Sequence, residues 1–404
     1  MIRYRADWIL PISSEPLTNT WIAIEGGRIA AIGRHDDGGA PDMVDLGRAV
    51  ILPGLVNAHT HLELSYLRGS VPPSGRLVDW VRQLLARQRE HPDAADPRIV
   101  RAAAAAIHEA RRSGTALVGD VSNTLVTVPL LVEGAMPAVV FYELIKFDAR
   151  DPAGLVHDAR QRLEALPAHP DVHPTLAPHA PYSVAPLLFR AIRHDLDQHP
   201  FAVTSVHLSE SPEEVQFIRD GDGPWRELLQ DLGAWTDEWQ PPGGTPVGYL
   251  ADAGFLDGRV LAVHSVQSTA ADLARLTALG VTIVSCPRSN RHVGAGSPPL
   301  NAFYASGAAV AFGTDSLASV EDMNVFAELA EAHRIAPDIA AGRLLESATL
   351  AGARALGFEG EFGSIEPGKR AALISVTMPE GVGDVEEYLV GGVAPSAIRW
   401  LDAR

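Results

Sequence analysis

From residue 51 to residue 361 the chain alternates between short, nearly continuous apolar runs and longer amphipathic stretches. The runs "ILPGLVN", "TALVGDV", "AVVFYEL", "VHPTLAP", "FAVTSVH", "RVLAVH", "VTIVSCP" and "AVAFGTD" are eight in number. Runs of this length bounded by breakers read as strands buried on both faces, the signature of parallel pairing. Between them lie helical patterns such as "DPRIVRAAAAAIHEARRSG", whose Gly114 fits a helix C-terminal position. Eight strand–helix units predict an α/β fold of the (β/α)8 TIM-barrel type, with an open doubly wound sheet as the alternative.

The two ends follow another pattern. "TNTWIAIEGGRIAAIGRHDDGG" holds two β-rich runs around Gly26-Gly27, a hairpin signal, and "GSIEPGKRAALISVTM" reads as strand, turn, strand. Residues 1–50 with 362–404 are therefore expected to form a small β-sandwich domain from both termini, leaving 51–361 as the catalytic barrel. The segment 219–258 is an insertion carrying Trp225, Trp235, Trp239 and the breaker run "PPGGTP". The expectation is an extra helix whose tryptophans cover the barrel; the alternative is a partial lid.

Composition narrows the setting. A chain of 404 residues, 46% hydrophobic and 21% charged, has ample material for a large core. A formal net charge of −17 argues against a nucleic-acid polymer or an anionic membrane as partner and leaves a small-molecule substrate, with a homo-oligomer open. A single cysteine, Cys286, excludes an internal disulfide framework. With no apolar stretch of membrane-spanning length and no signal peptide in "MIRYRADWIL", the expected location is the cytoplasm.

Reactive groups of such barrels sit at the C-terminal ends of strands, and this rule filters the fifteen histidines. His59 and His61 follow the first run two residues apart, a spacing that puts both side chains on one face of an extended chain. His179, His207 and His264 end the fourth, fifth and sixth runs, and Asp315 ends the eighth. His59, His61, His207 and Asp315 together make three imidazoles and a carboxylate, a set that zinc or ferrous iron accepts with space for a water. His264 faces the same mouth, as a further ligand or, by preference, as the partner of that water. Glu210 in "HLSES" precedes a helix start at which Ser211 and Glu214 have capping-box spacing and Pro212 takes the first helical position. A carboxylate there can shuttle a proton, or simply serve as a helix N-terminal acid.

This ordered set resembles the amidohydrolase superfamily over nearly the whole chain. The "HLSE" glutamate and "CPRSN" (286–290) resemble its branch of cytosine, adenosine-type and chlorotriazine hydrolases. The resemblance implies a barrel with a terminal β domain and hydrolysis at one divalent metal, zinc first, with iron or manganese as alternatives. It also implies that Asp315 and His264 handle the proton of water while Glu210 protonates a ring nitrogen before ammonia leaves. Binuclear members carry a lysine at the end of strand 4. Here His179 stands there, and Lys146 in "ELIKF" follows the third run, so a single metal is implied and Lys146 reads as a loop cation.

"NAHTHLELS", "APHAPYS" and "CPRSN" are together similar to the bacterial 6-aminodeoxyfutalosine deaminases of menaquinone biosynthesis. Those enzymes convert an adenine-bearing nucleoside to its hypoxanthine counterpart, and the substrate carries a benzoate. On that resemblance Glu63 is a candidate for a ribose hydroxyl or a base edge, and Arg288 and Arg291 for the benzoate. His179 is a further substrate-side candidate, and Ser289 and Asn290 either orient the substrate or cap the next turn. Deamination of adenosine, methylthioadenosine or S-adenosylhomocysteine, cyclic amide hydrolysis and chlorohydrolysis are alternatives within the superfamily. A non-catalytic metal- or ligand-binding protein is the alternative of another class; the presence of Glu210 and His264, which a storage site does not need, argues against it.

Overall fold

The computed structural model describes residues 1–34 and 43–401; most of "RHDDGG" and the last three residues of the expected terminal domain lie outside the described residues. In chain order the strands are β1 (Ile2–Arg5), β2 (Trp8–Ile9), β3 (Thr20–Glu25), β4 (Arg28–Arg34), β5 (Met43–Asp45) and β6 (Ala49–Pro53). There follow β7 (Leu55–Thr60), β8 (Thr115–Ser122), β9 (Ala138–Leu144), β10 (Val172–Pro178), β11 (Thr204–Leu208), β12 (Val260–His264), β13 (Thr282–Ser285) and β14 (Ala309–Phe312). β15 (Leu373–Thr377) and β16 (Ile398–Trp400) close the series.

The strands β7 to β14 fall on the eight apolar runs. They form an α/β arrangement of two parallel sheets, in the orders β10-β9-β8-β7 and β11-β12-β13-β14. β8 is buried along its whole length, which is why its sequence shows no alternation. The sheets approach each other at two seams. At one, the His207 amide donates to the His179 carbonyl at 2.9 Å and Thr204 Oγ1 to the Leu176 carbonyl at 2.8 Å. At the other, Thr60 and Asp315 form a parallel bridge and the Asp315 amide donates to the His59 carbonyl at 3.0 Å. Asn57 and Thr314 reinforce that seam: Asn57 Nδ2 donates to Thr314 Oγ1 at 2.8 Å, and the Thr314 amide to Asn57 Oδ1 at 3.0 Å. A Cβ on Gly313 would stand 2.6–2.9 Å from His59 backbone and Cβ atoms, so the close approach requires a residue without a side chain.

Helices connect the parallel strands with ordinary capping chemistry. Pro97–Arg112 begins on Asp96, whose carboxylate accepts the Arg98 amide, and ends on Ser113 with Gly114 just beyond in the left-handed region. Ala270–Ala278 starts with a complete Thr269–Asp272 capping box. Phe189, Phe255, Phe303, Phe312 and Phe326 fill the layer between helices and strands, each burial contributing about 1.5–3 kcal/mol.

Two strand runs differ from expectation. "ILPGLVN" is divided at Gly54 between β6 and β7, which lie in different sheets. A Cβ there would meet Ala116 Cβ at 2.6 Å and the Trp400 ring at 2.8 Å. "FAVTSVH" becomes a strand only from Thr204, with Phe201 fully exposed before it. At the termini, β4-β3-β1-β5 form one sheet and β16-β15-β6-β2 another, so both ends of the chain share a sheet. Ile9, Ile22, Ile24, Ile51 and Leu373, from the two sheets, share a buried cluster. "GSIEPGKRAALISVTM" supplies β15 alone; its first half is not a strand among the described residues. Trp400 ties β16 to the neighbouring helix: its Nε1 donates to the Arg111 carbonyl at 2.7 Å, and the Arg111 guanidinium lies 3.6 Å over its ring. Among the described residues no helix is long and apolar enough to cross a membrane.

Candidate active site

The two seams bring the chemistry together at the C-terminal ends of the strands. His59 lies within β7 and His61 just past it; His179 follows β10; His207 is the penultimate residue of β11 and His264 the last of β12; Asp315 stands three residues beyond β14. His59 is central. Its ring centroid is 4.9 Å from that of His61, 5.0 Å from His207 and 5.7 Å from His264. His59 Nε2 and His61 Nε2 lie 3.7 and 3.6 Å from Asp315 Oδ1. A tetrahedral ion with bonds of about 2.0–2.1 Å holds its ligand atoms about 3.4 Å apart, so these spacings suit one. Of three triads of possible ligands among the described residues, His59–His61–Asp315 and His59–His207–His264 meet at His59, and Glu143–His179–His207 joins the second at His207.

Backbone and side-chain supports fix each group. His264 and Asp315 both adopt positive φ (72° and 60°), as does Ser209 (51°), a costly conformation for residues other than glycine. His207 Nδ1 donates to the His179 carbonyl at 3.1 Å, which leaves Nε2 as its free nitrogen. His264 Nδ1 donates to Asn290 Oδ1 at 2.8 Å, and its bare Nε2 faces Glu210 Oε1 at 3.5 Å. Asp315 accepts Ser289 Oγ at 2.6 Å and the Ser316 amide at 2.8 Å. Asp120 on β8 accepts the Leu62 amide at 2.9 Å and so sets the chain direction just after His61. His59, in contrast, is fully buried with neither ring nitrogen partnered. An orphaned imidazole at the centre of this donor set is what a ligand awaiting an ion looks like.

Charge follows burial. Desolvation holds the His61 ring down to about 3 and the His179 and His264 rings to about 4, and puts His207 well below its usual value. These imidazoles are neutral at pH 7, the form that binds metals. Burial pushes the Asp315 carboxyl upward, but His59 and His61 beside it bring it well below the ordinary range. Glu210 goes the other way: burial, with the Asp315 and Glu214 charges, raises it well above the usual carboxylate value.

Of the residues expected to meet substrate, His179 lines the cavity over the cluster, paired through Nδ1 with Ser183 Oγ at 2.5 Å. The remaining five are engaged elsewhere. Glu63 accepts from Ser122 Oγ at 2.7 Å, the Asn123 amide at 2.8 Å and Thr124 Oγ1 at 2.7 Å, so its carboxylate is consumed in clamping the 122–124 loop. Ser289 and Asn290 support Asp315 and His264 from behind. Arg288 is directed away from the cavity, into Glu328 (2.6 Å) and Asp322 (2.8 Å), and Arg291 pairs with Glu331 on the outside. Burial raises the Glu328 carboxyl to about 7 against the pull of Arg288. Arg288→Ala should therefore cost about 2–4 kcal/mol of stability by leaving Glu328 buried without its partner. Urea denaturation beside steady-state kinetics reads this; a raised KM at unchanged stability would return the guanidinium to the substrate.

Two supports, and the role of a third residue, are absent from the sequence reading. Glu143, the penultimate residue of β9, is buried in the cavity wall, 3.6 Å from His207 Nδ1, with Oε2 held by Asn123 at 2.9 Å. Burial raises its carboxyl to about 8. The available signal was an acid at the end of the otherwise apolar "AVVFYEL". Asp120, mid-run in "TALVGDV", carries the same kind of signal. Glu214 does not close a capping box on Ser211; its carboxylate reaches further back to the amides of Ser209 and Glu210, both at 2.8 Å, and latches the turn that presents Glu210.

Above the cluster opens a cavity of about 330 Å³. Its far wall comes from the helices Leu77–Gln88 and Pro224–Asp231, the second belonging to the 219–258 insertion. Within the insertion Trp225 lines the cavity, while Trp235 and Trp239 stack with Phe147 and Phe217.

Comparison with known proteins agrees with this geometry. Residues 50–393 match the family model described as the amidohydrolase family. The chain belongs to the amidohydrolase family. It is accordingly a metal-dependent hydrolase acting on C–N bonds. It is 33% identical over 322 residues to the aminodeoxyfutalosine deaminase of Deinococcus radiodurans, covering 76% of this chain and 74% of that one. It is 31% identical over 409 residues to the 5-methylthioadenosine/S-adenosylhomocysteine deaminase of Moorella thermoacetica, covering 95% and 88%. The crystal structure of an adenosine deaminase from Xanthomonas campestris with bound zinc is similar at a TM-score of 0.83 and 27% identity, covering 98% of this chain and 90% of the other.

Proposed function

We propose that this amidohydrolase deaminates an adenine-type nucleoside, releasing ammonia. The observation that carries the reading is the Glu210–His264 pair: a buried carboxyl raised toward its protonated form, 3.5 Å from a bare imidazole nitrogen, beside the His59 cluster. His59, His61, His207 and Asp315 would hold one divalent ion, zinc by the donor set. When bound, the ion supplies the Lewis acidity that makes water nucleophilic near neutral pH.

The chain's own groups do the rest. Protonated Glu210 donates to a ring nitrogen, which makes the adjacent amino-bearing carbon electrophilic. His264 Nε2, kept bare by the Asn290 bond to Nδ1, accepts a proton from the attacking water together with Asp315. Attack gives a tetrahedral carbon; return of that proton to the amino nitrogen releases ammonia, and the proton of the new hydroxyl passes back to Glu210, which leaves the oxo product and restores the acid. Asn123, Glu143 and His179 line the cavity within reach of the rest of the base and sugar.

The same reading takes the two parallel sheets as one (β/α)8 barrel joined at both seams, spanning about 51–361, with the terminal sheets as a β-sandwich domain. A lone buried cysteine suits a cytoplasmic protein. The substrate implied by resemblance, 6-aminodeoxyfutalosine, falls within the reading, as do adenosine, methylthioadenosine and S-adenosylhomocysteine. Ammonia release from metal-loaded protein with these four tests it. Turnover of any of them supports the deaminase, and inertness toward all discards the purine base in favour of cyclic amides or chlorinated heterocycles.

A further inference from the structure

With the base beside Glu210 and His264, the 5′ substituent of a nucleoside must trail toward the far end of the cavity. That end is apolar: Leu77, Trp80 and Leu84 on one helix face Trp225, Leu228 and Leu232 on the other. At the lip Ile145 and Leu232 are 52% and 42% exposed, large apolar side chains that nothing among the described residues covers. Among the described residues lining the cavity Lys146 is the one lysine or arginine, and its Nζ is neutralised by Asp148 Oδ1 at 2.7 Å. The two arginines that the resemblance offered for a carboxylate are engaged elsewhere, Arg288 with Glu328 and Asp322, and Arg291 with Glu331. Trp80 Nε1 and Trp225 Nε1 are buried without partners in this wall. Two indole N–H groups suffice for a hydroxyl, ether or thioether; they do not replace the hydration of a carboxylate.

We propose that this distal compartment selects nucleosides whose 5′ substituent is uncharged and apolar, and that the Lys146–Asp148 pair denies an anionic tail its cation. The proposal rests on the deaminase reading for the placement of the base. It commits to a preference among the relatives' substrates: methylthioadenosine-like molecules over those ending in a carboxylate, such as S-adenosylhomocysteine and 6-aminodeoxyfutalosine.

The experiment uses the full metal-loaded chain and reads two quantities for each nucleoside, kcat/KM from ammonia release and Kd from quenching of tryptophan fluorescence. Methylthioadenosine is expected to lead both carboxylate-bearing nucleosides by about tenfold or more in each quantity, the scale of a poorly compensated charge. Asp148→Asn, which frees Lys146, is expected to narrow that ratio at least about threefold, as one partly exposed cation allows. Carboxylate-bearing nucleosides that bind or react as well as methylthioadenosine would overturn the proposal, as would an unaltered ratio in Asp148→Asn. Absence of ammonia with the Kd preference intact would instead remove the deaminase reading while supporting the selection.

Discussion

Glu210→Gln is expected to keep its metal and to lose turnover by about 10²–10⁴-fold, the usual contribution of a positioned general acid. The substitution changes almost nothing else. Glutamine has the same shape, and the turn that presents residue 210 is held through its amide by Glu214 and not through its own side chain. His264 Nε2 stands 3.5 Å from the carboxyl, beyond a hydrogen bond, and the Asp315 and Glu214 charges also act on it without binding it. The variant should therefore fold and load like the parent, and metal content by atomic absorption beside single-turnover ammonia release separates the roles. A pH profile adds a signed check. The proposed donor must be protonated and burial raises its carboxyl, so parental kcat should fall as pH rises through that raised value. The variant should lack this limb. Turnover preserved in Glu210→Gln would sink the assignment.

What the sequence disclosed and what it hid have a common physical cause. Parallel strands covered on both faces must be apolar throughout, so β8, β12 and β13 announce themselves as runs, and polar residues at their ends become conspicuous. That contrast found His59, His61, His179, His207, His264 and Asp315. It cannot say which of several distant partners a side chain will choose. Arg288 follows Cys286-Pro287 at the edge of the site, yet Glu328, forty residues on and fully buried, takes its guanidinium. Glu63 stands two residues from His61, yet the 122–124 loop offers it four donors. Glu143 and Asp120 escaped notice because single acids within apolar runs gain meaning only when the neighbouring strand is known. The division at Gly54 was hidden for a similar reason: both halves of "ILPGLVN" are apolar, and only the close contacts with Ala116 and Trp400 separate them.

His59→Ala should abolish activity and, more tellingly, abolish the stabilisation that metal gives the parent. In the metal-free protein the buried imidazole has two polar atoms without partners, a burden of about 1–3 kcal/mol. Truncation relieves that burden while opening a small cavity, so the two effects oppose. The metal-free variant should lie within about 2 kcal/mol of the metal-free parent. The loaded proteins should differ far more. An ion that binds only the native state stabilises by about 4 kcal/mol at a thousand times its Kd, and His59 joins the triads His59–His61–Asp315 and His59–His207–His264. Titrating zinc into each protein while following the thermal midpoint should raise the parental Tm and leave that of His59→Ala nearly fixed. An equal shift in both would remove His59 from the ligand set. The unpaired nitrogens would then need another partner, and the nearest carboxylate, Asp315, is already engaged by Ser289 and the Ser316 amide. Sequence periodicity could suggest this histidine only as one of a pair; its central place follows from the Gly313 approach, which presses β14 against it and leaves the ring facing the other ligands.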